Sequence, residues 1–134
     1  MKFSFYLLLA CVVFTACGES GKTTADYRIV PCPGEIAPGD GGDFELDART
    51  RIVCTGDGDG MRANAEFLAG YVESVVGSAP EITGPDGLCD DGRAVILRAD
   101  APGKGGEAYE IEISENRITV SGESDAGVFY GIQT

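Results

Sequence analysis

Residues 107–134 read EAYEIEISENRITVSGESDAGVFYGIQT, and this stretch decides the fold. Within residues 109–113 an apolar side chain alternates with an acidic one, which is the period of a half-buried β-strand. Residues 117–121 repeat the alternation, and Glu115-Asn116 supplies a short polar turn between the two runs. The stretch therefore predicts an antiparallel hairpin.

A helix is predicted directly after the hairpin. Gly122 breaks the second strand, and Ser124 or Asp125 is suited to cap a helix that runs to Thr134. No C-cap glycine or proline stops this helix, so we expect it to continue beyond Thr134. The chain is accordingly interpreted as cut inside an element, with a further domain after it.

The earlier part of the chain predicts short strands and one long helix. Glycine accounts for 20 of the 134 residues, which favours short strands and many turns. Strands are expected near residues 28–30, 43–46, 51–53 and 82, and over the continuous apolar run 94–97. A helix is expected over residues 61–76. Its apolar face comprises Met61, Ala65, Leu68, Val72 and Val75.

The ends of this helix are also marked in the sequence. Asp59 is the expected N-cap, and Gly77 is the expected left-handed residue at the C-terminal end. Taken in order, the strands and helices indicate an α+β fold, with a mostly antiparallel sheet and two helices packed on one face.

Residues 1–17 are predicted to be a lipoprotein signal peptide. Residues 3–16 form a mostly apolar run, too short to span a bilayer comfortably but typical of a signal sequence. The run ends in Phe14-Thr15-Ala16-Cys17, which resembles a bacterial lipobox with phenylalanine where leucine is usual. Cys17 is the predicted lipidation site, and ordinary cleavage near Ala16 is the alternative.

Residues 18–26 are polar and predict a flexible tether between a lipid anchor and a domain over residues 27–134. The expected location is therefore the bacterial cell envelope, with the lipid on Cys17 in the membrane. Such a compartment is oxidising, and three further cysteines follow, so at most one disulfide forms among them. Cys32, Cys54 and Cys89 are these cysteines, and a Cys32–Cys54 bridge is one alternative.

The composition argues against several classes of function. The formal net charge is −12 and the chain contains no histidine, so neither nucleic-acid binding nor histidine-dependent catalysis is expected. Residues 16–23 match a phosphate-binding loop except at its first glycine, but β-prone residues follow where such a loop requires a helix. Nucleotide binding is therefore not expected.

Residues 55–66 partly match a calcium-binding loop. Asp57, Asp59 and Glu66 occupy ligand positions, whereas Thr55 stands where the first carboxylate belongs. A glycine-rich turn leading into the helix is favoured over a calcium site.

Two pairs of neighbouring carboxylates, Asp90-Asp91 and Glu110/Glu112, are interpreted as solvated surface charge. Phe129-Tyr130 lies between two glycines, and close packing of its helix, with one ring buried, is favoured over a sugar-stacking platform. No catalytic, cofactor-binding or metal-binding residue is assigned in this chain, and no cofactor is expected.

The sequence Gly-x-Phe-Tyr-Gly-x-Gln-Thr at residues 127–134 resembles the end of the small N-terminal domain of bacterial β-N-acetylhexosaminidases. Residues 29–33, 44–46 and 50–53 resemble the opening strands of the same domain, so the resemblance covers residues 27–134. It implies the same α+β arrangement and a (β/α)-barrel catalytic domain, which is absent from this chain.

The resemblance also implies an activity for the full-length enzyme: removal of terminal, non-reducing N-acetylhexosamine from glycans. In this family the acetamido oxygen of the substrate attacks the anomeric carbon, while a glutamate acts as acid/base and an aspartate orients the acetamide. Both residues belong to the barrel, so this chain alone is expected to be inactive and to meet glycans only through that domain. The alternatives are the same domain before another hexosamine- or glucuronate-cleaving glycosidase, and a small envelope lipoprotein that serves as a binding module.

Overall fold

The structure is a computed structural model that describes residues 26–39, 42–88, 92–100 and 105–134. The predicted signal peptide with Cys17, the tether up to residue 25 and the loop-like match at residues 16–23 lie outside the described residues. Cys89 and Asp90-Asp91 also lie outside them.

The described residues form five strands, two α-helices and a 3₁₀ turn. In chain order these are β1 (Arg51–Cys54), α1 (Asp59–Val76), β2 (Ile82–Thr83), the turn Pro85–Gly87, β3 (Ala94–Arg98), β4 (Tyr109–Ile113), β5 (Arg117–Gly122) and α2 (Asp125–Gln133). This arrangement confirms the predicted α+β class, the hairpin and both helices.

The sheet has the strand order β2-β1-β3-β5-β4, so β2 and β4 are its edges. Only the β4–β5 hairpin is antiparallel; β1 pairs in parallel with β2 and β3, and β3 pairs in parallel with β5. The prediction of a mostly antiparallel sheet is wrong in this detail. Helix α1 connects β1 to β2 as a crossover, and such a connection returns the chain in its original direction.

Two of the predicted strands are absent. Residues 28–30 and 43–46 have no strand pairing in the described part of the chain. Val30 is 87% exposed, and the prolines at 31 and 33 lack the N–H that a ladder requires. Phe44 nevertheless packs against the core without belonging to a strand.

The main core lies between one face of the sheet and both helices, as predicted. Its buried members come from three strands and both helices and include Ile52, Val95, Leu97, Val120, Met61, Ala65, Val72 and Val128. A second, smaller cluster of Val53, Ala94 and Ile96 lies on the opposite face. The β1 and β3 residues alternate between the two clusters, which explains why both strands read as continuous apolar runs.

Helix α1 begins at Asp59, the residue that was predicted to be its N-cap. It therefore starts one residue earlier than predicted. Gly58 is the N-cap and makes no side-chain capping bond, whereas Asp59 is already helical. A carboxylate in the first turn still interacts favourably with the helix dipole. At the other end Gly77 adopts φ 86° and its N–H donates to the Glu73 carbonyl, as predicted. Val75 is 65% exposed, so its assignment to the core face is wrong.

Helix α2 is capped by Ser124, whose Oγ accepts a hydrogen bond from the Gly127 N–H at 3.3 Å. Its glycines allow the predicted close packing. A Cβ at Gly127 would lie 2.5 Å from the Ala108 carbonyl oxygen, and one at Gly131 would lie 2.5 Å from Val120 Cγ1. Real Cβ atoms do not approach so closely, so only glycine permits the helix to lie this near the sheet.

Asn64 joins the two helices. Its side chain is 7% exposed, and its Nδ2 donates to the backbone carbonyl of Asp125 at 2.7 Å. Buried polar groups are stable only when they are hydrogen-bonded, so this contact fixes the start of α2 against α1. The apolar periodicity of α1 gave no indication of it.

We expect Asn64→Ala to lower the free energy of unfolding by about 1–2 kcal/mol, because it removes a buried hydrogen bond and leaves a polar group without its partner. Urea denaturation followed by circular dichroism measures the change. A loss below about 0.3 kcal/mol would contradict a stabilising role for this contact.

Candidate functional site

An open cleft of about 360 Å³ lies where the carboxyl ends of β1 and β2 meet the start of α1. Ligands of open α/β sheets bind at such strand ends, so this cleft is the first candidate site. Its lining residues are Cys54, Gly56, Asp57, Gly58, Arg62, Glu66, Ile82, Thr83 and Gly84.

The charged groups of the cleft are already paired or solvated. Arg62 Nε lies 3.0 Å from Glu66 Oε1 across one turn of α1, and both side chains are more than half exposed. Such exposed pairs contribute well under 1 kcal/mol. Both groups are therefore in contact with water and already engaged with each other.

The same residues test the calcium interpretation. Thr55, at the first ligand position, donates its hydroxyl to the Leu97 carbonyl at 3.2 Å, and Glu66, at the last, is paired with Arg62. Asp59 belongs to the first turn of α1. Among the described residues, no three His, Cys, Asp or Glu side chains lie together as a group that could hold a metal ion. The stretch is a strand-to-helix turn.

Cys54 forms the floor of the cleft. Burial raises the pKa of its thiol, so the group stays protonated at neutral pH and is a poor nucleophile. Cys32 is exposed, and both cysteines are free. The Cys32–Cys54 bridge that the sequence left open does not form, because one residue ends a core strand and the other lies on the surface.

The aspartates with perturbed pKa values are held ionised by arginine. A hydrogen bond from Arg98 lowers the pKa of Asp100, and Arg28 acts in the same way on Asp26. A general acid at neutral pH requires a raised pKa, so these groups show the opposite behaviour.

Asp47 is the most connected of these carboxylates. Hydrogen bonds from the Arg49 backbone and guanidinium lower its pKa, and its Oδ2 also lies 2.8 Å from Arg93 Nη1. The contact with Arg93 ties the segment before β1 to the start of β3. Asp47 therefore has a structural role.

Glu110 and Glu112 are exposed on β4. They face away from the core, as predicted, because Ile111 packs against it from the same strand. Glu110 and Glu112 are therefore solvated and are not enclosed by apolar side chains.

The second candidate site is an aromatic face on the outer side of the helices. Phe67 and Tyr71 follow each other by one turn on α1 and are 49% and 64% exposed. Phe129 of α2 lies against Phe67, with ring centroids 5.3 Å apart, and Tyr130 is 39% exposed. Val75 extends the row by another turn of α1. We call Phe67, Tyr71, Val75, Phe129 and Tyr130 the aromatic face.

The aromatic face differs from the sequence-based interpretation of Phe129-Tyr130. Neither ring is fully buried; the buried residue of this turn is Val128, at 0% exposure. Phe129 packs on Phe67 of α1. The signal that indicates the face was present in the sequence, since Phe67 and Tyr71 have an i, i+4 spacing outside the core stripe.

These features define a small α+β domain with both helices on one side of a mixed sheet and an aromatic surface on those helices. The chain belongs to the family described as glycosyl hydrolase family 20, domain 2, whose model matches residues 26–134. This match confirms the resemblance seen in residues 127–134.

Two solved structures are similar to the chain. One is the family 20 β-N-acetylhexosaminidase of Streptomyces coelicolor A3(2), with 23% identity and a TM-score of 0.67. The other is a mutant β-hexosaminidase of Streptomyces plicatus in complex with its product GlcNAc, with 22% identity and a TM-score of 0.61. Each match covers 79% of this chain and 20% of the other. At these identities the likeness establishes the fold. No curated protein matches the chain.

Within the described residues, neither helix is long and apolar enough to cross a membrane.

Proposed function

We propose that this chain is the non-catalytic domain of an exported β-N-acetylhexosaminidase that hydrolyses terminal, non-reducing N-acetylhexosamine residues of glycans. The observation that carries the proposal is the family match, which extends over every described residue from 26 to 134. The chain spans about a fifth of the length of the two solved relatives, which leaves room in a longer protein for a catalytic barrel.

Three aspartates of the domain lack the electrostatics of a general acid. Arginine hydrogen bonds hold Asp26, Asp47 and Asp100 ionised, whereas an acid catalyst must keep its proton near neutral pH. In the proposed enzyme a glutamate and an aspartate of the barrel carry out the substrate-assisted reaction. This domain supplies structural support and no reacting group.

The test compares the described domain with the longer protein. We expect the product of the complete reading frame to hydrolyse a chromogenic N-acetylglucosaminide, and residues 26–134 alone to show no hydrolysis. In the longer protein, the surface change Glu110→Gln with Glu112→Gln should leave kcat unchanged, because both side chains are exposed on β4.

Hydrolysis by residues 26–134 that is lost when one of their acidic residues is replaced would place the active site in this domain and contradict the proposal. A stop codon directly after Thr134 would favour the small envelope lipoprotein. Hydrolysis of a glucuronide in place of the N-acetylglucosaminide would favour a different glycosidase with the same domain.

We further propose that the leader is cleaved before Cys17 and that this residue carries lipid, which anchors the enzyme in the cell envelope. The proposal is supported by the apolar run at residues 3–16, the lipobox-like Phe14-Thr15-Ala16-Cys17 and the polar segment that follows.

In a bacterial host grown with labelled palmitate, we expect the wild-type chain to take up label and to partition into detergent, and Cys17→Ser to take up none. Cys11→Ser is the matched control, because Cys11 lies in the same leader and should retain the label. Equal labelling of Cys17→Ser and the wild type would rule out Cys17 as the lipid site.

A further inference from the structure

The cleft at the carboxyl ends of β1 and β2 carries an inference about what this domain binds. Its volume of about 360 Å³ lies within the range of small-ligand sites, which runs from about 300 to 1,000 Å³. Its walls come from three parts of the chain: the end of β1 with the turn after it, the first turns of α1, and the end of β2. The cleft is therefore large enough for a ligand of the size of a sugar.

The backbone of the cleft is left bare where the fold would accept side chains. Gly56 and Gly84 both line the cleft, and a Cβ at either position would meet nothing within 4 Å. Neither glycine has a positive φ. Packing and backbone conformation therefore require glycine at neither position, whereas a ligand that approaches the backbone closely is a reason for it.

The cleft also presents hydrogen-bonding groups with capacity to spare. Arg62 bonds to Glu66 through Nε alone, so its Nη groups remain donors without a partner among the described residues. The Asp57 carboxylate makes no hydrogen bond or ion pair within the described part of the chain. Ile82, which is 40% exposed, adds an apolar wall. Donors, acceptors and an apolar surface thus face the same space.

The charges of the cleft favour a neutral ligand over an ion. An anion would meet two carboxylates, Asp57 and Glu66, against the single guanidinium of Arg62. A cation would leave the Nη groups of Arg62 facing a like charge. A sugar hydroxyl both donates and accepts, so neighbouring hydroxyls satisfy a carboxylate and a guanidinium together, while the C–H face of the ring packs on Ile82.

We propose that this cleft binds a neutral sugar residue of a glycan, a choice of ligand class that rests on the function proposed above. Asp57 accepts from one hydroxyl, Arg62 donates to the next, and the bare backbone at Gly56 and Gly84 lets the ring lie close. The chain then contacts glycans itself, which differs from the expectation that it meets them only through the barrel.

The test measures hydrogen exchange by mass spectrometry in the product of the complete reading frame. The probe is N,N′-diacetylchitobiose, the neutral disaccharide of N-acetylglucosamine. Peptides covering residues 54–62 and 81–88 report on the cleft, so sugar bound to any other part of the protein is read in other peptides. We expect the disaccharide to slow exchange in both peptides about threefold at twice its Kd, because the unbound fraction then falls to about one third. Glucuronate should leave this exchange unchanged.

Two matched double variants test the polar groups. Asp57→Asn with Arg62→Gln alters those of the cleft, and Asp100→Asn with Arg98→Gln makes the same change in an exposed ion pair outside it. We expect the cleft variant to lose the protection by the disaccharide and the control variant to keep that of the wild type.

A second pair of variants tests the bare backbone. Gly56→Ala with Gly84→Ala should keep the wild-type melting temperature, since neither Cβ meets another atom. It should nevertheless weaken the binding of the disaccharide about tenfold, the lower end of the effect of one carbon atom in a binding pocket. Gly34→Ala with Gly70→Ala is the control, because a Cβ at these positions also meets nothing and neither lines the cleft. It should bind like the wild type.

Unchanged exchange in the cleft peptides would overturn the sugar site. Equal protection by glucuronate, or equal binding by the cleft variants and their controls, would overturn it as well. Hydrolysis of the chromogenic substrate by the same protein is scored separately. Its absence would refute the proposed function, whereas hydrolysis without protection of the cleft peptides would refute the sugar site alone.

Discussion

Gly122→Ala is expected to lower the free energy of unfolding by about 3 kcal/mol, the upper part of the range for overpacked sites. A Cβ at this position would lie 2.7 Å from the Val128 nitrogen and 3.0 Å from the Gly127 carbonyl carbon and the Ser124 oxygen. All three are backbone atoms, so no side-chain rotation relieves the clash. Helix α2 would have to move away from β5, which would expose Val128.

Gly70→Ala is the matched control for this substitution. Gly70 lies on the exposed side of α1, and a Cβ there would meet nothing within 4 Å. Alanine in a helix interior is favoured over glycine by about 0.5–1 kcal/mol, so the same substitution should stabilise the protein here. Guanidinium denaturation of residues 26–134 measures both changes. Equal stability of the Gly122→Ala variant and the wild type would contradict the close packing of α2.

Leu97→Ala is expected to cost about 3–4 kcal/mol, as large-to-small changes in a well-packed core do. Leu97 is 0% exposed in the middle strand of the sheet and belongs to the core cluster that both helices cover. Its removal leaves a cavity between β3 and those helices. Such a loss is a large fraction of the stability of a domain this small.

Ile113→Ala serves as the comparison for Leu97→Ala. Ile113 lies at the end of edge strand β4 and is 63% exposed, so its truncation should cost less than about 1 kcal/mol. The same denaturation curves give both values. Losses of similar size at the two positions would mean that β3 is not the centre of the core.

The hairpin and helix at residues 107–134 were predictable because their pattern is local. Alternation over five residues, a polar turn and a serine cap each act within a few residues of the chain. The helix over residues 61–76 was predictable for the same reason. Its boundary at Gly77 followed from the left-handed conformation that glycine alone adopts without strain.

The direction of the strands was not predictable from such patterns. The local pattern of β3 would be the same with parallel or antiparallel neighbours, because the direction of pairing depends on how the chain returns to the sheet. Two facts pointed to parallel pairing: β1 and β3 are apolar on both faces, and a helix separates β1 from β2. The prediction failed in a different way at residues 28–30 and 43–46. Their composition is typical of strands, but they pair with no strand in the described part of the chain.

The candidate surfaces were predicted less completely than the fold. Periodicity selected one apolar stripe on α1 and assigned Val75 to it, whereas the helix has a second apolar row through Phe67 and Tyr71. Which of the two rows faces the sheet depends on the position of α2. The Asn64 hydrogen bond and the glycines of α2 fix that position. The apolar periodicity of α1 indicates neither of these contacts.

The two edges of the sheet determine how this domain behaves at high concentration. Exposed strand edges are templates for aggregation unless they are short or charged. β2 is only two residues long, so it offers little backbone to a passing chain. β4 is longer, but the exposed Glu110 and Glu112 would bring like charges together if another β4 approached. Edge-to-edge pairing of two copies of the described sheet is therefore disfavoured.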